Sequence, residues 1–197
     1  MAYPPRLCFD GAHYHVMVRG NNRLPVFVDD LDRQQWLIFL SRYKHRFRFR
    51  LYAYVLMPNH VHLVLQPAVG TTISRLMQCL TIAYTKYFNE RHQRVGHVFQ
   101  GRFRSRLIDT DSYLLVASRY VHLNPVRAKL ATHPVDFLWS SYRAYLDDSE
   151  NPLHLVDPDD VLALLGQANI RPRTRYREFV EAAADAPLPD PFFYHDL

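Results

Sequence analysis

The stretch Tyr52-Ala-Tyr-Val-Leu-Met-Pro-Asn-His-Val-His-Leu-Val-Leu-Gln66 decides the fold. Two apolar, β-rich runs flank Pro58-Asn59, and Pro-Asn is turn chemistry. The pattern predicts a hairpin of strands Phe49–Met57 and His60–Gln66. Upstream, Ala12–Arg19 reads as a strand and Asp29 to Arg46 as a helix with Trp36, Leu37, Phe39 and Leu40 toward the core. Downstream, Thr71–Arg91 carries Ile73, Leu76, Met77, Leu80 and Tyr84 at helical spacing. Val98–Ile108 reads as a fourth strand. The order β-α-β-β-α-β predicts an α+β, ferredoxin-like sandwich: an antiparallel sheet with helices on one face. A further helix, Asp111–Asn124, is appended, with Asp111 or Ser112 as its cap and Pro125 as its stop. Residues 1–146 are expected to form the main domain and 147–197 an acidic extension, with short helices over Asp157–Leu165 and Arg173–Ala183.

Residues two apart on a strand share a face. His60 and His62 therefore offer two imidazoles to one ion, with Val61 and Val64 expected on the opposite side. Two protein ligands leave a metal site open, as catalysis requires. Tyr120 and Asn124 stand four apart in a helical segment, so one helix face presents a phenol and an amide oxygen. His122 is expected to face away from Tyr120, and Tyr113 lies two turns earlier on much the same face. Taken singly, each motif also suits ordinary structure: two histidines on a half-exposed strand, or a buried tyrosine before a helix-ending Asn-Pro.

Charge narrows the partner. The chain of 197 residues carries a formal net charge of +5. Residues 1–146 hold 20 Lys/Arg and 8 Asp/Glu, giving +12, and residues 147–197 hold 4 and 11, giving −7. A basic body suits a phosphate backbone. Two runs alternate arginine with other residues, Arg46-Phe-Arg-Phe-Arg50 and Arg102-Phe-Arg-Ser-Arg106. As strands, each run would turn one face of arginines (Arg46, Arg48, Arg50; Arg102, Arg104, Arg106) to nucleic acid, with aromatic residues near to stack on bases. The acidic tail is expected either to pack on the domain or to cover that groove. No apolar run is long enough to span a membrane, no signal-peptide pattern opens the chain, and Cys8 and Cys79 form no metal motif. A reducing cytoplasm is the expected setting.

Met57-Pro-Asn-His-Val-His-Leu, Gly101-Arg-Phe-Arg-Ser, Arg119-Tyr-Val-His-Leu-Asn-Pro-Val-Arg-Ala and Trp139-Ser-Ser-Tyr occur in that order. Together they resemble the single-tyrosine HUH transposases, most of all the REP-associated tyrosine transposases, relatives of the insertion-sequence-200 type. The resemblance runs from His13 to Tyr145. It implies that His60 and His62 are metal ligands, that Tyr120 is the nucleophile and that Asn124 is the third ligand, where many relatives have glutamine. It implies Mg²⁺ or Mn²⁺ as cofactor, and single-stranded or hairpin DNA as partner. It leaves open whether the protein acts as a homodimer. The implied reaction is nicking and strand transfer through a 5′-phosphotyrosine. A covalent tyrosine intermediate splits one difficult transfer into two reversible ones. Two alternatives carry less of the sequence. A histidine-triad nucleotide hydrolase needs a further histidine where Val64 stands. A domesticated, non-cleaving DNA-binding protein has no need of His60, His62 and Tyr120 together.

Overall fold

The computed structural model describes residues 9, 11–166 and 170–184; Cys8 and the part of the extension beyond residue 184 lie outside them. Four strands form one sheet: β1 (His13–Arg19), β2 (Arg50–Met57), β3 (His60–Gln66) and β4 (Arg104–Ile108). Their order is β2-β3-β1-β4 and every pairing is antiparallel. The crossovers are α1 (Asp30–Phe47) and α2 (Ile73–Arg91), so the α+β, ferredoxin-like arrangement is the observed one. α3 (Asp111–Arg127), α4 (Tyr142–Leu146), α5 (Asp159–Ala163) and α6 (Pro172–Glu181) follow.

Period-two patterning sends the sheet's side chains to two different surroundings. Val16, Val18, Val61, Leu63 and Leu65 join Trp36, Leu40, Leu76, Leu80 and Tyr84 under α1 and α2. Leu37 and Phe39 pack at the margin of that core. Ala53, Val55, Met57 and Val64 join Leu114, Ala117, Val121, Tyr142, Tyr145, Tyr176 and Val180 beneath α3, α4 and α6. The sheet is thus covered on both sides, by α1 and α2 on one and by the appended helices on the other. Val61 lies opposite the histidines as expected. Val64 does not: it shares their parity and therefore their face.

α1 starts at Asp29, whose side chain accepts from the Asp32 amide; α2 starts at Thr72, which accepts from the Arg75 amide. α3 is capped by Thr110, which accepts from the Tyr113 amide, rather than by Asp111 or Ser112. Pro125 does not stop α3, which continues to Arg127. The helix closes one turn later. Lys129 adopts a left-handed φ of 57°, the Leu130 amide donates to the Pro125 carbonyl and the Lys129 amide to the Val126 carbonyl. That is a Schellman ending.

Two strand expectations are corrected. Arg46-Phe-Arg-Phe-Arg50 is no strand: buried Phe47 ends α1, Arg48 turns the chain with a left-handed φ of 51°, and only Arg50 enters β2. The fourth strand is shorter than Val98–Ile108: Gly101 (φ 62°) bends the chain out of the ladder, and before it the chain meets the end of β1 only through the Gly20–Phe99 bridge, where the Gln100 amide donates to the Arg19 carbonyl. Arg102 precedes β4, and Arg104 and Arg106 lie in it. The outer edge of β2 is occupied: the Leu56 amide donates to Trp139 and the Ser141 amide to Tyr54. An edge covered this way offers no template for pairing with another chain.

Candidate active site

The hairpin turn that carries His60 is clamped from the β1–α1 loop. The Gly20 amide donates to the Asn59 carbonyl at 2.7 Å and the Val26 amide to the Pro58 carbonyl at 2.9 Å. A Cβ on Gly20 would fall 2.1 Å from the Leu24 carbonyl oxygen, so only glycine fits there. The Asn59 side chain is held too: its Nδ2 donates to the Arg23 carbonyl at 3.1 Å, and its Oδ1 lies 2.7 Å from His60 Nδ1.

Cross-strand register then assembles one polar patch. His60 pairs with Arg19 and His62 with Met17, while His15 pairs with Val64 on one side and Arg106 on the other. His15, Arg19, His60, His62, Arg104 and Arg106 therefore share the sheet face beneath α3. The His60 and His62 rings are 4.9 Å apart between centroids. His62 stacks on His15 at 5.0 Å, with His15 Nε2 and His62 Nδ1 separated by 2.9 Å. Tyr120 stands edge-on to both, 5.7 Å from His62 and 5.9 Å from His15 between centroids. Asn124, one turn on, places its side chain beside both the Tyr120 phenol and the His60 imidazole, near enough to bear on the protonation of each. The sequence-expected quartet of His60, His62, Tyr120 and Asn124 is one cluster.

Burial sets its protonation. It pulls the His60 imidazole down to about 4, with help from the charge on Arg19 and against the hydrogen bond to Asn124. His62 is held well below its ordinary value by burial and by the neighbouring His15 and His60. His15 falls to about 3 through burial and Arg106. All three rings are neutral at pH 7, so each carries a lone pair. Burial raises the Tyr120 phenol, while the Asn124 hydrogen bond and the Arg127 charge oppose that rise. The Arg127 guanidinium sits 5.8 Å over the Tyr120 ring.

Among the described residues no three His, Cys, Asp or Glu groups are arranged to hold a metal. The groups that could hold one are the two imidazoles of His60 and His62 and the Asn124 amide, beside a phenol. Such a mixed set fits a divalent ion of intermediate hardness, Mn²⁺ more readily than Mg²⁺.

The basic runs divide. Arg104 and Arg106 are on the site's face, and Arg102 lies just before them. Arg50 pairs with Gln66 at the opposite end of the β2–β3 ladder from the Met57–His60 pair. Six residues of strand separate those ends, about 20 Å at ~3.3 Å per residue. Arg50 also forms an ion pair with Asp160. His122 is turned away from the site: its Nε2 contacts Ser141 Oγ and its Nδ1 the Tyr176 hydroxyl, each at 2.8 Å.

His15, Arg19 and Arg127 belong to the neighbourhood and were not singled out in the sequence. Their signals are present: His13-x-His15 repeats the spacing of His60-x-His62, and Arg127 follows Asn124 by three.

Comparison with known proteins gives this geometry a family. The model of IS200-like transposases matches residues 8–124, more than half of the chain and a span that holds all four clustered residues. The chain belongs to the IS200-like transposase family. No curated protein sequence matches it. Among solved structures, it is similar to a REP-associated tyrosine transposase bound to a REP hairpin, at 18% identity and a TM-score of 0.62, covering 78% of this chain and 90% of that one. It is also similar to a candidate transposase from Deinococcus radiodurans R1, at 17% identity and a TM-score of 0.43, covering 57% of this chain and 89% of the other. The first likeness supports the fold. Family membership makes this protein a DNA transposase. Among the described residues no helix is long and apolar enough to cross a membrane.

Proposed function

We propose that this transposase nicks and rejoins single-stranded, hairpin-forming DNA with Tyr120 as nucleophile and His60, His62 and Asn124 as metal ligands. The observation that carries the reading is the meeting of Tyr120 and Asn124 on α3 with His60 and His62 on β3. When bound, a divalent ion such as Mn²⁺ or Mg²⁺ supplies positive charge at a non-bridging phosphate oxygen. The protein residues do the rest. The Tyr120 oxygen bonds to phosphorus and the bond from phosphorus to O3′ breaks. The electron pair leaves on O3′, which takes up a proton, while the phenol gives one up. The product is a 5′-phosphotyrosine, and a 3′-hydroxyl of another strand reverses the step.

Arg127, close over the Tyr120 ring, favours the developing phenolate. Arg104 and Arg106, with Arg102, contact the phosphate backbone near the site. Arg46, Arg48 and Arg50 lie outside this assignment. Residues 1–146 carry all four site groups, and the described part of the extension buttresses α3 from behind through Tyr176 and Phe179. Because one chain supplies the whole quartet, the chemistry needs no second copy.

The test is incubation with labelled hairpin oligonucleotides taken from the gene's flanks, with Mn²⁺ or Mg²⁺. A covalent protein–DNA adduct that requires metal and disappears in Tyr120→Phe is the expected result. A metal-independent adduct, or one that survives in Tyr120→Phe, refutes the assignment.

A further inference from the structure

The two histidines meet different partners through the same ring atom. His60 uses Nδ1 toward Asn59 Oδ1 at 2.7 Å, and His62 uses Nδ1 toward His15 Nε2 at 2.9 Å. We infer that Asn59 and His15 are positioning residues: each accepts the Nδ1 proton of its histidine and leaves Nε2 bare for the metal. This rests on the metal reading above.

For His60 the logic is closed by a backbone acceptor beyond Asn59. The Arg23 carbonyl can only accept, so the Asn59 atom facing it at 3.1 Å is the amide nitrogen. The Asn59 oxygen then faces His60. An amide oxygen also only accepts, so His60 Nδ1 carries the proton. A neutral imidazole has one ring proton, and Nε2 keeps a lone pair. Arg23 holds its carbonyl in place through a left-handed turn, with φ of 51° at Asn22 and 59° at Arg23.

For His62 the partner is another imidazole, and the proton could sit on either side of the contact. Only a proton on His62 Nδ1 leaves His62 Nε2 able to bind a cation. His15 is built to receive it. It occupies β1, which is paired on both sides, by β3 and by β4, and cannot withdraw. It is fully buried, and its ring stacks on His62 with planes 23° apart. An imidazole buried at that depth is costly unless it is hydrogen bonded, and an aliphatic residue would fill the space without that cost. Metal-ligating histidines are held in this way by outer partners whose loss weakens metal binding about 10–100-fold.

The test joins ring-nitrogen NMR on ¹⁵N-histidine-labelled, metal-free protein to Mn²⁺ titration followed by electron paramagnetic resonance. Native protein is expected to show the Nδ1–H form at both His60 and His62. His15→Ala and Asn59→Ala are expected to lose Mn²⁺ affinity about 10–100-fold with native circular dichroism. His15→Gln, whose amide oxygen offers an acceptor, is expected to recover part of it. A purely structural role would lower the melting temperature in both His15 variants without separating their Mn²⁺ affinities. If His15→Ala does not fold, the native tautomers and His15→Gln still decide. The Nε2–H form at His62 overturns the inference, as does unchanged Mn²⁺ affinity in a folded His15→Ala. His62→Ala tells the two failures apart. If it leaves Mn²⁺ binding intact, the metal reading fails. If it abolishes binding and His15→Ala does not weaken it, only the positioning role fails.

Discussion

The two faces of one sheet are packed on different principles. Beneath α1 and α2 the interior is apolar: Trp36 meets Phe27, Tyr84 and Phe99 edge-on, with Trp36 and Tyr84 centroids 5.0 Å apart. One buried carboxylate stands at its margin, where Asp32 meets Arg91 at 2.5 Å and His92 at 3.0 Å, and Asp29 meets Arg91 at 2.6 Å. Beneath α3, α4 and α6 the interior holds His15, His62 and His122, all nearly or fully buried, among the hydroxyls of Tyr120, Tyr142, Tyr145 and Tyr176. Burying an imidazole costs free energy that an aliphatic residue would not. One face therefore stabilises the fold, and the other holds neutral lone pairs and a phenol in fixed positions.

The largest expected effects cross these roles. Tyr120→Phe should reduce adduct formation by at least about 10³-fold, the scale on which loss of a nucleophile is felt. DNA affinity and melting temperature should hardly move, because the ring still packs. Trp36→Ala should do the reverse. It should destabilise by about 3–5 kcal/mol, read by urea denaturation, while adduct formation per folded molecule stays near native. His60→Ala or His62→Ala should remove metal-dependent cleavage, and Asn124→Ala should be milder, since water replaces a neutral oxygen ligand. If Trp36→Ala silenced the chemistry while remaining folded, the separation of faces would be wrong.

How much of this was legible depended on the reach of each interaction. The hairpin was readable because period-two runs around Pro58-Asn59 are local, and the pairing of Tyr120 with Asn124 because it spans one helical turn. His15 was not, since its bond to His62 joins residues 47 apart in sequence and depends on β1 pairing with β3. Arg46–Arg50 misled because alternation imitates a strand, whereas burial of Phe47 prolongs α1. Pro125 signals a stop, yet α3 continues through it and closes on the left-handed Lys129. The tail's pattern gives two short helices, Asp157–Leu165 and the amphipathic Arg173–Ala183, and the structure has α5 and α6 there. That Tyr176 bonds His122 and that Phe179 lies 4.2 Å under the Arg119 guanidinium are long-range facts. The described part of the extension packs behind α3. The question of a groove cover concerns residues beyond 184, outside the described set.

Acid should separate the faces by pH window. Burial lowers His122 from its ordinary 6.5 to about 3. The unfolded chain takes up a proton as pH falls through 6.5 and the folded chain does not, so this stability is full above 6.5 and lost as pH drops toward 3. The slope is about 1.4 kcal/mol per pH unit for each such group. The carboxylates of the other face respond in a more acidic window. Arg91 holds Asp29 at about 2; burial alone would raise Asp32, but hydrogen bonds from the Val28 amide, His92 and Arg91 keep it low. Their contribution is full above the ordinary 3.8 and is lost only as pH falls through the lowered values. Urea denaturation of metal-free protein between pH 7 and 4.5 should thus report the histidine face. His122→Gln should flatten that slope by about one proton. An unchanged slope would mean that His122 takes up its proton over the same pH range in the folded and unfolded protein.

The smallest effects should come from the basic runs, and they test whether DNA follows the histidine face. Arg104→Ala with Arg106→Ala removes two cations from β4 beside His15. Single-stranded DNA affinity at low salt should fall about tenfold, and the slope of log affinity against log salt should shrink by about 1.4, at ~0.7 for each phosphate no longer neutralised. Arg46→Ala with Arg48→Ala makes the same change in net charge at the C-terminal end of α1, just before the end of β2 that lies farthest from the Met57–His60 pair. If local pairing with phosphate rather than total charge governs binding, this second pair should change affinity less than about twofold and leave the salt slope nearly as it was. Equal losses in both pairs would mean that the strand runs the length of the sheet, past Arg50 as well as past β4. In that case the histidine face would hold only the cleavage point of a much longer DNA track.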